Sequence, residues 1–114
     1  MARLPDETLN TIFRLQRWLV LLLDTATAAE YSILQQFGET EETMPELEAI
    51  DNVKEPLRSP YNSLHEILQQ VAEFQPAATA DVLEFLYGTI AETEAAADAS
   101  EASIQEIKRS WNLP

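Results

Sequence analysis

The sequence predicts an all-α fold, an elongated antiparallel helical bundle forming one domain over residues 1–114, and three observations carry that expectation. Only two glycines and six prolines punctuate the chain, and the helix formers alanine, glutamate and leucine, with glutamine beside them, dominate it. Apolar residues recur by threes and fours over long stretches, the spacing that keeps them on one side of a helix. The hydrophobic share of 46% is too high for a disordered acidic tail.

The first helix is expected over about 6–37, because no glycine or proline falls between Pro5 and Gly38. Asp6 is the expected N-cap, and Gly38 suits the left-handed position that ends a helix. Its apolar stripe is read as Leu9, Ile12, Leu19, Leu23, Ala26, Ile33 and Phe37, with Gln16 and Glu30 as polar members of the same stripe. An acidic loop, Glu39 to Met44, leads to Pro45, a first-turn proline with Thr43 before it as a cap.

The middle segment is expected to be broken into helices at about 46–54 and 60–75, since Pro56 removes a helical donor and crowds the preceding turn. Ser59-Pro60 then opens the second piece, carried by Tyr61, Leu64, Ile67, Leu68, Val71 and Phe74 and stopped before Pro76. Thr79 or Asp81 caps the last helix, expected over about 79–110. Its stripe is regular: Leu86, Ile90, Thr93, Ala97, Ser100, Ile104, Ile107, Trp111. If the middle makes two strokes, the first and last helices run antiparallel; if one, they run parallel. The antiparallel alignment sets Gln16 near Ser100 and Leu23 near Thr93. It also gathers Arg3, Arg14, Arg17, Lys108 and Arg109 at one end, opposite Glu39, Glu41, Glu42, Glu46, Asp81 and Glu84, and so makes the molecule a charge dipole.

Charge narrows the function classes. A net charge of −13 argues against direct nucleic-acid binding, which needs clustered lysine and arginine, and favours a basic protein partner. With no cysteine there is neither a disulfide framework nor a thiolate metal site, as expected of a cytoplasmic protein. Acids stand near the N-terminus where a signal peptide would turn apolar, and the run Trp18 to Leu23 is too short to span a bilayer.

That run is apolar all round its helix, which points to burial on more than one side. Trp18, Leu21, Leu22 and Trp111 are therefore the expected interface residues of a homodimer. Gln16 and Glu30 are the expected buried polar positions; a carboxylate at Glu30 needs a partner, for which a core tyrosine such as Tyr87 is a candidate. Glu39, Glu41, Glu42 and Glu46 are the expected acidic surface for a partner.

Two resemblances supply an enzymatic alternative. The stretch Ala29-Glu30-Tyr31-Ser32-Ile33-Leu34-Gln35-Gln36-Phe37 resembles the first helix of ferritin-like di-iron proteins over nine residues, which implies Glu30 as an inward metal ligand; a carboxylate-metal enzyme centred on Glu30 would draw on His65 or Glu94 in support. That family also uses Glu-x-x-His pairs, and here Asn62 stands three residues before His65. The short, glutamate-rich build resembles magnesium-dependent all-α nucleotide pyrophosphohydrolases as well. Glu41-Glu42…Glu46 and Glu94…Asp98 each run one residue longer than that family's carboxylate spacings, and the first contains a proline.

The reading that follows is a non-enzymatic helical interaction or regulatory module, homodimeric, with an acidic surface and no cofactor or metal. An acidic, nucleic-acid-mimicking inhibitor of a basic protein is the alternative, and a carboxylate-metal bundle enzyme the second.

Overall fold

In the computed structural model, which describes residues 5–73 and 80–114, three helices follow one another: α1 (Asp6–Phe37), α2 (Met44–Glu73) and α3 (Ala80–Ser110). No strand occurs among the described residues. Arg3, Phe74, Pro76 and Thr79, to which the sequence reading gave roles, lie outside them.

The expected break in the middle does not occur. α2 is continuous through Pro56 and Pro60 and begins at Met44 rather than Glu46. A proline inside a helix leaves the carbonyl four residues earlier without its donor. For Pro56 that residue is Asn52, and for Pro60 it is Pro56; both are exposed, so water can meet the orphaned oxygens. Meanwhile Ile50, Leu57 and Leu64, all buried, hold α2 against its neighbours on both sides of the prolines. Packing therefore outweighs local propensity. Pro56→Ala is accordingly expected to stabilise the fold by about 1 kcal/mol, less than the full helix penalty because proline also restricts the unfolded chain. Urea denaturation would show it as a raised midpoint; a lowered midpoint would mean that the proline favours this backbone.

The helix ends have physical causes. Pro5, not Asp6, occupies the N-cap position of α1, in extended geometry with no side-chain cap, and its carbonyl accepts from the Leu9 N–H at 3.1 Å. Asp6 and Glu7 lie in the first turn, where their charges favour the helix dipole. Gly38 closes α1 at φ 74°, ψ −175°, a region open essentially to glycine and distinct from the expected left-handed helical one. The turn into α2 is tied by Thr43, which is buried: its hydroxyl donates to the Gly38 carbonyl at 2.8 Å and accepts from the Thr40 N–H at 2.8 Å. In return the Thr43 N–H donates to Thr40 Oγ1 at 3.2 Å.

Burial follows a heptad repeat. In α1 the buried residues are Thr8, Ile12, Leu15, Leu19, Leu22, Ala26, Ala29 and Ile33, alternating steps of four and three. In α3 they are Leu86, Ile90, Thr93, Ala97, Ser100, Ile104 and Ile107, the stripe read from the sequence except Trp111, which lies just past the helix and is half-buried. The α1 stripe differs from the expected one: Thr8, Leu15, Leu22 and Ala29 are buried, and Leu9, Leu23 and Phe37 are not. Gln16 and Glu30 consequently flank the core rather than fill it.

Neighbouring pairs fix the helix directions. Thr8 Oγ1 lies 3.1 Å from Tyr87 Oη, and the Phe37 ring meets the Trp111 ring edge-on with centroids 5.0 Å apart. α1 and α3 thus run parallel, joined by an α2 that runs back between them: Gln16 meets Tyr61 and Glu30 meets Lys54. Since α2 makes a single stroke, the antiparallel alignment of the long helices fails, and with it the pairing of Gln16 with Ser100 and Leu23 with Thr93. The charge dipole fails for the same reason, because Lys108 and Arg109 sit at the Phe37 end beside the acidic loop, while Arg14 and Arg17 sit toward the other.

The bundle measures 57 × 20 × 18 Å. Its core has two parts, one at the α1 start with Ile12, Leu15, Leu64, Val71 and Leu86, the other beyond Leu19 with Ile33, Ile50, Leu57, Ala97 and Ile104. Trp18 packs against both. Gly88 is exposed on α3, and nothing lies within 4 Å of where a Cβ would sit. Gly88→Ala is expected to add roughly 0.5–1 kcal/mol. A thermal scan should show a rise of a few degrees, and a fall would mean that α3 needs a flexible point there.

Candidate functional site

Lys54 stands where the heptad of α2 calls for an apolar side chain, between Ile50 and Leu57. Its side chain is only 9% exposed, and its ammonium leaves the core sideways to donate to Glu30 Oε2 at 3.2 Å. Asp51 Oδ1 lies 3.8 Å away on the same helix, at the solvent side. Glu30 is thus held by Lys54 and not by a tyrosine; Tyr87 is at the other end of the bundle, bonded to Thr8. The sequence reading missed Lys54. Its position in the 3-4 spacing was a signal, hidden because Pro56 suggested a break two residues later.

Gln16 holds the corresponding flank position two heptads before Glu30. Its Nε2 reaches the Tyr61 carbonyl at 3.5 Å, the long limit of a hydrogen bond. Trp18 is half-buried against both core clusters, and Trp111 packs on Phe37 and the second cluster. Leu22, expected at a subunit interface, is 6% exposed and belongs to the core of its own chain, because it occupies a heptad core position. Leu21 is exposed, on a face it shares with Arg14, Asp24 and Ala28.

A longer, mostly apolar surface does exist, one residue further round α1. Each core residue from Thr8 to Ile33 is followed by a member of a second row, Leu9, Phe13, Gln16, Val20, Leu23, Thr27, Glu30 and Leu34, which Phe37 completes. Within it every seventh residue from Phe13 is exposed: Phe13, Val20, Thr27 and Leu34, with 54%, 49% and 39% of Phe13, Val20 and Leu34 open to solvent. Thr27 is the one polar member of that set, and it keeps the branched shape of valine with a hydroxyl in place of one methyl. Leu9 and Leu23 are half-buried between these and the core. At 1.5 Å per residue the row is about 42 Å long. α2 borders it with exposed Met44 and, beside Gln16, exposed Tyr61, and a groove between the helices is lined by Glu30, Leu34, Met44, Leu47 and Asp51.

The other candidates are dispersed. Glu39, Glu41 and Glu42 are exposed in the loop and Glu46 is half-buried in the first turn of α2. His65 is exposed about three turns along α2 from Lys54, and Glu94 is exposed on α3. Glu30, His65 and Glu94 are not brought together. Among the described residues no group of three histidine, aspartate or glutamate side chains is placed to hold a metal ion. No helix of the described residues is long and apolar enough to cross a membrane. A second groove, between α2 and α3, is lined by Pro60, Ser63, Glu66, Phe85, Thr89 and Glu92.

Fold and site together define, among the described residues, a three-helix heptad bundle with α1 and α3 parallel, the Lys54–Glu30 pair at the edge of its core and a mostly apolar row on the outer face of α1. Compared with known proteins, the chain matches no family model, no curated protein and no solved structure.

Proposed function

We propose that this chain is a non-enzymatic helical interaction module whose docking surface is the outer row of α1. The observation that carries this reading is the exposed heptad Phe13, Val20, Thr27, Leu34, flanked by Leu9, Leu23 and Phe37. One exposed leucine needs no explanation, but three large apolar residues and a threonine at a strict seven-residue spacing form the stripe by which one helix receives another. The bundle core does not require them, since Ile12, Leu19, Ala26 and Ile33 already serve it. Sedimentation velocity on Val20→Glu tests the proposal: the substitution removes an assembly that the wild-type chain forms, alone or with its partner. An assembly insensitive to Val20→Glu would place the interface elsewhere.

A basic region on a partner protein is a second reading, favoured by the acids Glu39, Glu48 and Asp51 that border the α1–α2 groove at the end where Leu34 and Met44 are exposed. Contacts of that kind weaken with added salt, because exposed charges are screened beyond about 8 Å at physiological ionic strength. Binding that survives about 0.5 M salt would count against the acidic surface and in favour of the apolar row.

A further inference from the structure

Resting on that reading of the α1 row, we infer that its occupant is α1 of a second copy of this chain, packed antiparallel about a two-fold axis at Leu23. An interface between identical copies across a two-fold must be self-complementary: if residue i meets j, then j meets i. The row has that property. Its flank members Leu9, Gln16, Leu23, Glu30 and Phe37 are spaced evenly about Leu23, so an antiparallel partner sets Leu9 opposite Phe37, Gln16 opposite Glu30, and Leu23 opposite itself. The exposed members Phe13, Val20, Thr27 and Leu34 are centred half a residue further on, which sets Phe13 opposite Leu34 and Val20 opposite Thr27. Half a residue is about 0.75 Å along the axis, so one two-fold satisfies both sets.

The pairs are also chemically matched. Phe13 meets Leu34, and Val20 meets Thr27, whose branched side chain has the same outline and offers a methyl to the contact. The Thr27 hydroxyl need not go unsatisfied there. Thr11, Thr25, Thr89 and Thr93 each donate to the carbonyl four residues earlier in their own helix, and the equivalent acceptor for Thr27 is the Leu23 carbonyl. The two strongly polar members meet each other. Gln16, loosely held at 3.5 Å in its own chain, brings an amide donor to the Glu30 carboxylate, whose Oε2 is already occupied by Lys54. Arg17, beside the row, comes opposite Tyr31, which is 60% exposed, and can stack on its ring. The parallel, in-register alternative places Glu30 against Glu30 within the seam. The antiparallel one brings like charges together only at Asp24, on the solvated rim.

The chain has no cysteine, so single-cysteine variants report proximity without background. Val20→Cys and Thr27→Cys variants, mixed and oxidised at tens of micromolar, are expected to give a 20–27 disulfide between chains. Each variant alone should cross-link no faster than an exposed control, Ser103→Cys. Val20→Cys cross-linking to itself would overturn the antiparallel register while leaving the docking row intact. Cross-linking at the control level throughout would overturn the second copy as occupant. The row itself is judged separately, by whether Val20→Glu lowers the sedimenting mass of the wild-type assembly. Asp24→Asn is expected to strengthen self-association several-fold by removing the like-charge pair at the rim, and weakening would contradict the two-fold placed here.

Discussion

Glu30→Ala is expected to destabilise the bundle by about 2–3 kcal/mol, whereas Lys54→Met leaves stability unchanged or raises it. The asymmetry follows from where each charge sits. Lys54 is almost enclosed, at 9% side-chain exposure, and without Glu30 its ammonium keeps only the more distant Asp51. A buried charge stripped of its partner loses hydration that nothing replaces. Glu30 is 26% exposed at the edge of a groove, so without Lys54 it returns to water at little expense. Methionine matches the lysine stem in length and buries the core position between Ile50 and Leu57 without a charge. Chemical denaturation of both variants and of the double variant tests this. Equal losses from the two single variants would mean that the pair contributes by direct attraction.

Val20→Glu is expected to weaken self-association at least about 100-fold, a loss of about 2.8 kcal/mol at 1.4 kcal/mol per tenfold, without unfolding the chain. In the free chain Val20 is half-exposed, so a carboxylate there is solvated and the bundle keeps its helical signal and unfolding midpoint. In the assembly the same carboxylate faces apolar side chains and, as its nearest donor, the single hydroxyl of Thr27, which cannot replace a hydration shell. The two-fold repeats that cost, once for each copy. Leu21→Glu, one residue on, is expected to have little effect, because Leu21 lies about 100° round the helix from Val20 and outside the row. The contrast between adjacent positions separates a specific seam from general hydrophobic association. Equal effects at Val20 and Leu21 would remove the seam as the explanation.

The helical class was legible because α1 and α3 are uninterrupted and periodic; α3 even discloses its buried residues one by one. α2 was not, because proline speaks strongly at the local level while the packing of Ile50, Leu57 and Leu64 on either side of the prolines is a property of the assembled bundle. The directions of the long helices turn on the same point, since one stroke of α2 sets α1 and α3 parallel and two strokes would set them antiparallel. In α1 the difficulty was different. It carries two rows rich in apolar residues, about 100° apart, and the expected stripe took Ile12, Leu19, Ala26 and Ile33 from one, and Leu9, Leu23 and Phe37 from the other. Gln16 and Glu30 then looked like intruders in a core. Counting by sevens instead separates the rows, and the same two residues become the symmetric polar members of the outer one. Thr27 helped to hide that row, because a threonine between Val20 and Leu34 breaks its apolar pattern at the midpoint. Lys54, as the partner of Glu30, depends on which helix lies alongside α1, and no local pattern reveals that.

The most direct test asks whether the outer face of α1 is covered in solution. A thiol-reactive reagent applied to Thr27→Cys and to Ser103→Cys, over a range of protein concentrations, compares a position at the middle of the outer row with one exposed on α3. Thr27→Cys is expected to react at least about tenfold more slowly than Ser103→Cys at high protein concentration, with the protection vanishing on dilution as copies separate. Equal reaction rates at every concentration would contradict it.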